Sequence, residues 1–256
     1  MTANEMKIAL LVKFNRLFDM AAPAYDDRQI SQLLTDAQWR VFIKRYNPLG
    51  NKYKIGFESD EQRRRDLDQL IKPALYLSTG AAPAGVENIS KPAIQNGVHP
   101  NGIFFEMPDD YLYPVEETCK VSGISREFKV VPVTHDEYSV NVYNPYGSPY
   151  IKASEGYIWR MDISRYTQAV GTSVAASSKR LELILPSGNT LTQYRVRYLS
   201  MPPNIVVNTT TLDNQRHCIL DESIHLAIID EAVAIADASS KEEAYQIGLN
   251  EANKSE

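Results

Sequence analysis

The stretch Asp27–Tyr46 constrains the fold most, because it lacks glycine and proline and spaces its apolar side chains as a helix does. At about 100° per residue these side chains fall on two stripes, nearly opposite each other. A helix at a domain surface needs only one apolar stripe, so the second needs an explanation. The first stripe holds Ile30, Leu33, Leu34, Ala37 and Val41, and the second holds Trp39, Phe42, Ile43 and Tyr46.

Two explanations fit the second stripe. Thr35 and Gln38 have the spacing of a capping box, which would restart the helix at a new angle. Alternatively, one stripe packs on the core of the domain and the other on another helix or subunit. The second explanation makes Trp39, Phe42, Ile43 and Tyr46 candidate intersubunit contacts. The arginine run at the start of the next predicted helix is either a solvated face or a set of salt-bridge partners for a neighbouring chain. It consists of Arg63, Arg64 and Arg65.

The remaining elements follow the order helices, strands, helices. An amphipathic helix over residues 3–20 comes first, and a third helix is predicted from a Ser59–Gln62 capping box to Pro73. Between residues 102 and 207, apolar and polar residues alternate as they do in strands. Because no helix-length segment separates these strands, we expect antiparallel pairing. The clearest strands are residues 138–142, 157–163, 181–185 and 194–198, the last two forming a predicted hairpin around residues 186–189.

A helical C-terminal region completes the α+β plan. Asp221 is predicted to cap a helix that runs to Ala238, and a Ser240–Glu243 capping box would start a short last helix. The sequence therefore predicts an N-terminal helical bundle, an antiparallel β-sandwich-like middle domain and C-terminal helices that pack back on the bundle. The predicted domains are residues 1–78 with 208–256 for the helices, and 79–207 for the strands.

The totals exclude several classes of function. A formal net charge of −5 argues against general electrostatic binding to nucleic acid. The apolar run near the N-terminus is soon followed by Lys13, Arg16 and Asp19, as in an amphipathic helix and unlike a signal peptide or membrane span. Cys119 and Cys218 are predicted to be free thiols in a reducing compartment.

No strong catalytic motif occurs in the chain, and no catalytic, cofactor-binding or metal-binding residue is predicted. His217, Asp221 and His225 have metal-like spacing beside Cys218, but Asp221 fits a helix N-cap better. His99 and His135 could join a Ser–His–Asp group, although nothing marks one serine as the nucleophile. The acidic pairs at residues 109–110 and 116–117 are typical of solvated loops.

The last predicted strand and the C-terminal sequences that follow it resemble a known family. Residues 193–205 (QYRVRYLSMPPNI) precede CILDESIH at 218–225 and the apolar helix LAIIDEAVAIA. This pattern is similar to virion structural proteins of crAss-like phages of Bacteroidota. The helical start of those proteins is similar to AYDDRQISQLLTDAQWRVFIKRYN and SDEQRRRDLDQLI.

The resemblance implies a head–tail connector, or neck, ring protein of these podoviruses, made in the host cytoplasm and located in the virion. Such proteins form a ring, commonly of twelve copies, beneath the portal at the capsid vertex. They extend the channel through which genomic DNA passes and receive the next neck or tail ring protein. The implied partners are therefore other copies of the chain, the portal protein and other ring proteins, with no membrane, no cofactor and no catalytic residues.

Two other functions stay open from the residues alone. The tyrosine-rich strands could recognise a glycan or host surface, with Tyr111, Tyr113, Tyr146 or Tyr150 stacking on sugars. A hydrolase with a dispersed site would depend on His135 or His225.

Overall fold

A computed structural model gives the fold of most of the chain, which divides into two compact units. The helical unit comprises Met1–Leu70 and Pro202–Glu256, and the sheet unit comprises Ile71–Met201. The predicted α+β class is confirmed. The structure describes residues 1–18, 25–47, 57–91, 99–146, 148, 154–166, 169–170, 173–174, 178–186, 188–208 and 215–254.

Three long helices form the core of the helical unit, with α1 and α2 both packing against α5. Buried aliphatic and aromatic residues at helical spacing explain this packing, such as Met6, Leu10 and Phe14 on α1 and Ile228 on α5. The helices of the unit are α1 (Ala3–Phe18), α2 (Asp27–Tyr46), α3 (Glu61–Leu67) and α5 (His225–Lys254), with short 3-10 turns at Phe57–Ser59, Asp68–Leu70 and Glu222–Ile224.

The helix caps confirm one prediction and correct three. Asp221 does cap the turn before α5, accepting a hydrogen bond from the Ser223 N–H at 2.9 Å. The capping residue of α3 is Asp60, however, whose carboxylate accepts from the Gln62 N–H at 3.0 Å. Neither predicted restart occurs, since α2 continues through Thr35 and α5 is a single helix of 30 residues that continues through Ser240. The sequence signals for capping were present at these three sites, but the chain does not use them to start a helix.

The sheet unit is built on one eight-stranded sheet, not on the two packed sheets of a sandwich. Its spatial order is β2-β1-β10-β4-β5-β6-β9-β3, and a short ribbon pairs β7 with β8. The strands are β1 (Ile71–Leu77), β2 (Glu87–Asn88), β3 (Gly102–Glu106), β4 (Tyr111–Val121), β5 (Phe128–Pro132), β6 (Tyr157–Tyr166), β7 (Ala169–Val170), β8 (Ser173–Val174), β9 (Ser178–Ile184) and β10 (Leu191–Ser200).

The sheet curls until its two edges meet. Just beyond β2, the Ser90 N–H donates to the Glu106 carbonyl at 3.3 Å, and the Glu106 N–H donates to the Ser90 carbonyl at 2.7 Å. These two bonds join the β2 edge to β3, the strand at the opposite edge of the sheet order. Edge backbone groups that would otherwise be open for pairing with another chain are thereby satisfied at this point.

Strand pairing departs from the predictions in two places, and a third difference concerns the end of a helix. The predicted hairpin is wrong, because β9 pairs with β3 and β6 whereas β10 pairs with β1 and β4. The uniformly antiparallel sheet is wrong too, since β1–β2 and β5–β6 are parallel. The predicted third helix does not reach Pro73, which lies within β1.

A helix explains the parallel β5–β6 pair. Residues 138–142 were predicted as a strand, but α4 (His135–Asn141) covers most of this segment between β5 and β6. A crossover helix is the usual connection between parallel neighbours. On the outer side of the sheet, Tyr138 of α4 packs with Trp159, Met161 and Ile184. Alternation alone misread α4 because Tyr138, Val140 and Val142 alternate with polar residues along the sequence, although of these three only Tyr138 is buried.

A buried ionic network lies within the sheet unit. Arg160 of β6 donates from Nη1 to both carboxylate oxygens of Glu117 on β4, at 3.0 and 2.9 Å. Both side chains are at most 5% exposed. The Tyr194 hydroxyl donates to Glu117 at 2.7 Å, and Arg160 also reaches the Tyr111 hydroxyl at 3.3 Å. Burial raises the pKa of Glu117 and of both tyrosines. The network bridges β4 and β6 across β5, which pairs with β4 over only two residue pairs.

Candidate assembly surface

The surface of the α2 helix is divided into three parts that have different neighbours. The first predicted stripe forms its core face, where Ile30, Leu34 and Ala37 are fully buried and Val41 nearly so. This face packs inward, as its spacing predicts. The rest of the helix surface is divided between a polar seam and an outward strip.

The polar seam holds an extended segment, residues 203–207, along the helix. Gln38 donates from Nε2 to the Pro203 carbonyl at 2.9 Å. The Ile205 N–H donates to the Thr35 hydroxyl at 3.1 Å, and the Val207 N–H donates to the Ser31 hydroxyl at 2.9 Å. Thr35 and Gln38 therefore fix a neighbouring segment and do not restart the helix, because their side chains bond to the 203–207 segment and not to each other's backbone.

The second predicted stripe is split between the chain's own core and the surface. Phe42 is 1% exposed, so it is buried within its own chain. Trp39 meets the Phe42 ring edge-on at 5.6 Å, and Tyr46 stacks on it at 6.3 Å. Tyr46 also contacts Phe57 at 5.6 Å. Ile43 remains 51% exposed, and Trp39 and Tyr46 are half-buried. Phe42 thus supports an outward strip formed by the other three side chains.

Ion pairs flank this strip at the junction with α5. Lys44 lies 2.6 Å from Glu231, and Arg40 lies 3.6 Å from the same carboxylate. Lys13 of α1 pairs with Asp230 of α5 in the same way. Because the lysine and arginine of these pairs are well exposed to solvent, each pair contributes only about 0–1 kcal/mol.

The arginine run does not act as a unit. Arg63 is 7% exposed, and its Nε lies 3.5 Å from the Asp60 carboxylate. Arg64 and Arg65 are exposed and line an open groove of about 580 Å³ with Glu61, Gln62 and Asp68. Only these two arginines are therefore placed to meet another molecule.

Apart from Tyr146, which was considered for sugar stacking, several exposed apolar side chains were not singled out from the sequence. On α1, Ile8 and Val12 are 61% and 49% exposed and lie one turn apart, and Leu226 of α5 is 56% exposed. In the sheet unit, Val140, Tyr143 and Tyr146 are more exposed still. Helical spacing could have revealed the Ile8–Val12 stripe, because it lies opposite the buried face of α1. Predicting the α4 segment as a strand hid the exposure of Val140 and Tyr143.

Comparison with known proteins covers nearly the whole chain. Residues 1–247 match the model of a family described as phage tail ring protein 3/4. The chain belongs to this family. Ring protein 4/5 of Bacteroides phage crAss001 is 28% identical over 251 residues, which cover 93% of each chain. Ring protein 3 of the same phage is 26% identical over 226 residues, covering 82% of this chain and 84% of that relative.

Membership of the phage tail ring protein family confirms the resemblance to crAss-like phage proteins and gives the chain a structural role in the virion, not an enzymatic one. The residues considered for chemistry fit this role. His225 donates from Nε2 to the Leu220 carbonyl at 2.9 Å, and Asp221 is a cap. Across the part of the chain that the structure describes, no three His, Cys, Asp or Glu side chains are placed to hold a metal ion.

The ring protein's cysteines are both free and buried, Cys119 in the sheet unit and Cys218 in the helical unit. Burial raises the pKa of Cys119 to about 12 and that of Cys218 to about 11. Thiols with such pKa values stay protonated and unreactive at neutral pH. Within the described ranges, no helix is long and apolar enough to cross a bilayer.

Proposed function

We propose that this ring protein assembles with other copies of itself, as a dodecamer, at the portal vertex of the phage particle. There it would join the portal protein to the tail and extend the DNA channel. The observation that carries the proposal is the match of residues 1–247 to the ring protein family, supported by relatives that are named ring proteins. A net charge of −5 suits a channel wall through which DNA passes without binding tightly.

A closed ring needs two different surfaces on each copy that fit each other. We assign one of them to the strip of Trp39, Ile43 and Tyr46 on α2, with Phe42 behind it. Arg64 and Arg65 supply charge, whereas Arg63 is buried and pairs with Asp60 at the start of the same helix. Partly exposed aromatic side chains are frequent energetic centres of protein interfaces, where truncating one costs about 2 kcal/mol or more.

The predicted domains, residues 1–78 with 208–256 and residues 79–207, extend this proposal. In it, the helical domain supplies the α2 strip and the exposed arginines to the contacts between copies. Limited proteolysis of the purified chain, with mass measurement of the fragments, tests the boundaries. Cleavage close to residues 78–79 and 207–208 that leaves both domains whole would agree with them, and early cleavage inside α2 would contradict them.

The decisive experiment measures the mass of the purified ring protein, alone and with portal protein, by mass photometry. We expect a symmetric oligomer of about twelve copies, formed alone or on the portal. Trp39→Asp should abolish it while leaving helix content nearly unchanged, because Trp39 is only half-buried. Ile124→Asp, which alters an exposed apolar residue in a turn of the sheet unit, is the matched control. A monomer that never joins a portal complex would exclude this function.

The alternative of glycan or host-surface binding keeps two of its candidate tyrosines, since Tyr146 is 84% exposed and Tyr113 is 41% exposed. Tyr111 is buried against Arg160 and is not available, and Tyr150 lies outside the described residues. A glycan array answers the question. Specific binding lost in Tyr146→Ala would support this alternative, and a blank array would remove it.

A further inference from the structure

The most exposed large apolar side chains among the described residues lie together on and after α4. Val140 is 74% exposed, Tyr143 is 91% exposed and Tyr146 is 84% exposed. Asp136, Val140 and Tyr143 are spaced four and three residues apart, so they lie on one side of the helical turn. We call Asp136, Val140, Tyr143 and Tyr146 the α4 surface. Exposed apolar groups in such a cluster are typical of interaction sites.

The α4 surface rests on a well-fixed base. Thr134 and Glu137 form a reciprocal capping box at the start of α4. On the side facing the sheet, Tyr138 packs edge-on against Trp159 at 6.0 Å. The turn after the helix is held by the Tyr146 N–H, which donates to the Asn144 side chain at 3.0 Å. A surface whose backbone is already ordered loses little conformational entropy when it binds.

The chemistry of the α4 surface indicates what it would bind. Between His135 and Tyr146 the sequence contains two acidic residues, Asp136 and Glu137, and no lysine or arginine. Tyrosine rings attract cations through their faces, and carboxylates accept hydrogen bonds from guanidinium groups. Arginine satisfies both, because its planar cation stacks on aromatic rings and forms paired hydrogen bonds with carboxylates. The matching surface is therefore one that presents arginine.

Such a surface is present on the same chain. Arg64 and Arg65 are adjacent, exposed and held on α3, whose start is capped by Asp60. Within the described ranges neither has a carboxylate at ion-pair distance, and Arg65 acts on Asp221 only through a longer-range electrostatic effect. Arg63, by contrast, already pairs with Asp60. Because neither Arg64 nor Arg65 forms an ion pair within the described ranges, both are available to bind a second molecule.

We propose that the α4 surface of one copy receives Arg64 and Arg65 of a second copy. This inference rests on the proposed function, since it names the two surfaces by which copies would join into a ring. The contact is heterologous, because each copy uses a different patch on each side. When the rotation between neighbouring copies closes after a whole number of copies, such a contact generates a ring.

Mass photometry of charge-reversal variants tests the contact. We expect R64E/R65E and Y143A/Y146A each to raise the concentration at which half the protein is assembled by at least tenfold. R195E/R197E is the matched control, because it reverses two exposed arginines on β10 and should assemble like the wild type. Circular dichroism checks that each variant keeps its helix and strand content.

A charge swap keeps the test decisive if a variant is simply unstable. R65E and D136R should each weaken assembly, and R65E/D136R in one chain should recover most of it, since the two charges are exchanged. Normal assembly of R64E/R65E or Y143A/Y146A would overturn the inference while leaving the ring function intact. Loss in R195E/R197E alone would also overturn it. A wild-type chain that never forms a ring would overturn the proposed function itself, and this contact with it.

Discussion

The two units of the ring protein satisfy their surfaces in different ways. The sheet unit joins its own edges through Ser90 and Glu106 and encloses the Arg160–Glu117 pair. The helical unit buries one face of each long helix and leaves apolar side chains such as Ile8 and Ile43 facing outward. Its exposed ion pairs, such as Lys44–Glu231, lie at the edges of those apolar strips.

Because of this difference, the residues that stabilise the fold are distinct from the residues that are available for assembly. A curled sheet with a buried ion pair depends on that pair, because removing one partner leaves an uncompensated charge in the interior. An exposed apolar strip contributes little to the fold of the monomer but offers area to a partner. Substitutions at buried positions of the sheet unit should therefore destabilise the protein, whereas substitutions on the outward strips and on the α4 surface should leave the monomer intact.

Removing the buried cation of the sheet unit should have the largest effect on stability. Arg160→Met is expected to reduce the free energy of unfolding by about 3–5 kcal/mol, because Glu117 loses its partner in the interior. Urea denaturation measures this loss. Arg195→Met, at an exposed arginine on β10, should change stability by less than about 0.5 kcal/mol. Equal effects of the two substitutions would show that the buried pair does not stabilise the sheet.

A second substitution tests how tightly the sheet unit is packed at Gly102. A Cβ atom there would lie 1.9 Å from Oε1 of Glu182, which already accepts the His99 N–H at 3.0 Å. Gly102→Ala should therefore lower the free energy of unfolding by about 1–3 kcal/mol through overpacking. The loss should be smaller in a Glu182→Ala background, which a double-mutant cycle measures. An unchanged loss would place the strain elsewhere.

The seam on α2 tests the corresponding contact in the helical unit. Thr35→Val keeps the shape of the side chain but removes the hydroxyl that accepts the Ile205 N–H. Leaving that donor without a partner should cost about 1–2 kcal/mol in thermal or urea unfolding. Thr192→Val on the exposed side of β10 is the control and should be nearly neutral. If both changes were neutral, the 203–207 segment would be held by packing alone.

The smallest expected effect concerns pH. Burial lowers the pKa of His225, so the folded chain binds fewer protons at this site than the unfolded chain. Stability should therefore fall as the pH decreases through the unfolded value of about 6.5. The measurement is the free energy of unfolding at about pH 7.5 and about pH 5.5, compared with His225→Gln, which keeps an N–H donor for the Leu220 carbonyl. A variant with the same pH dependence as the wild type would exclude His225 as its source.

Much of the local structure was predictable from spacing. The alternation at Tyr157–Ile163 does lie in β6, and the apolar face of α2 is buried as expected. The pairing of the strands was not predictable, because turn residues at 186–189 indicate where the chain reverses but not which strand it joins. The α4 segment was assigned to the wrong kind of element because its alternation spans only five residues, which is too short to distinguish a strand from a helix.

The sequence by itself determined the α+β class, the cap at Asp221, the absence of a strong catalytic motif and the family to which the chain belongs. These depend on neighbouring residues or on an ordered pattern along the chain. Only the tertiary structure decided that Phe42 is buried while Ile43 is exposed, that Arg63 is separated from Arg64 and Arg65, and that the sheet closes on itself. The burial of Phe42 and the closure of the sheet depend on which segments farther along the chain, such as Phe57 and Ser90, arrive beside each residue, and local periodicity carries no information about them.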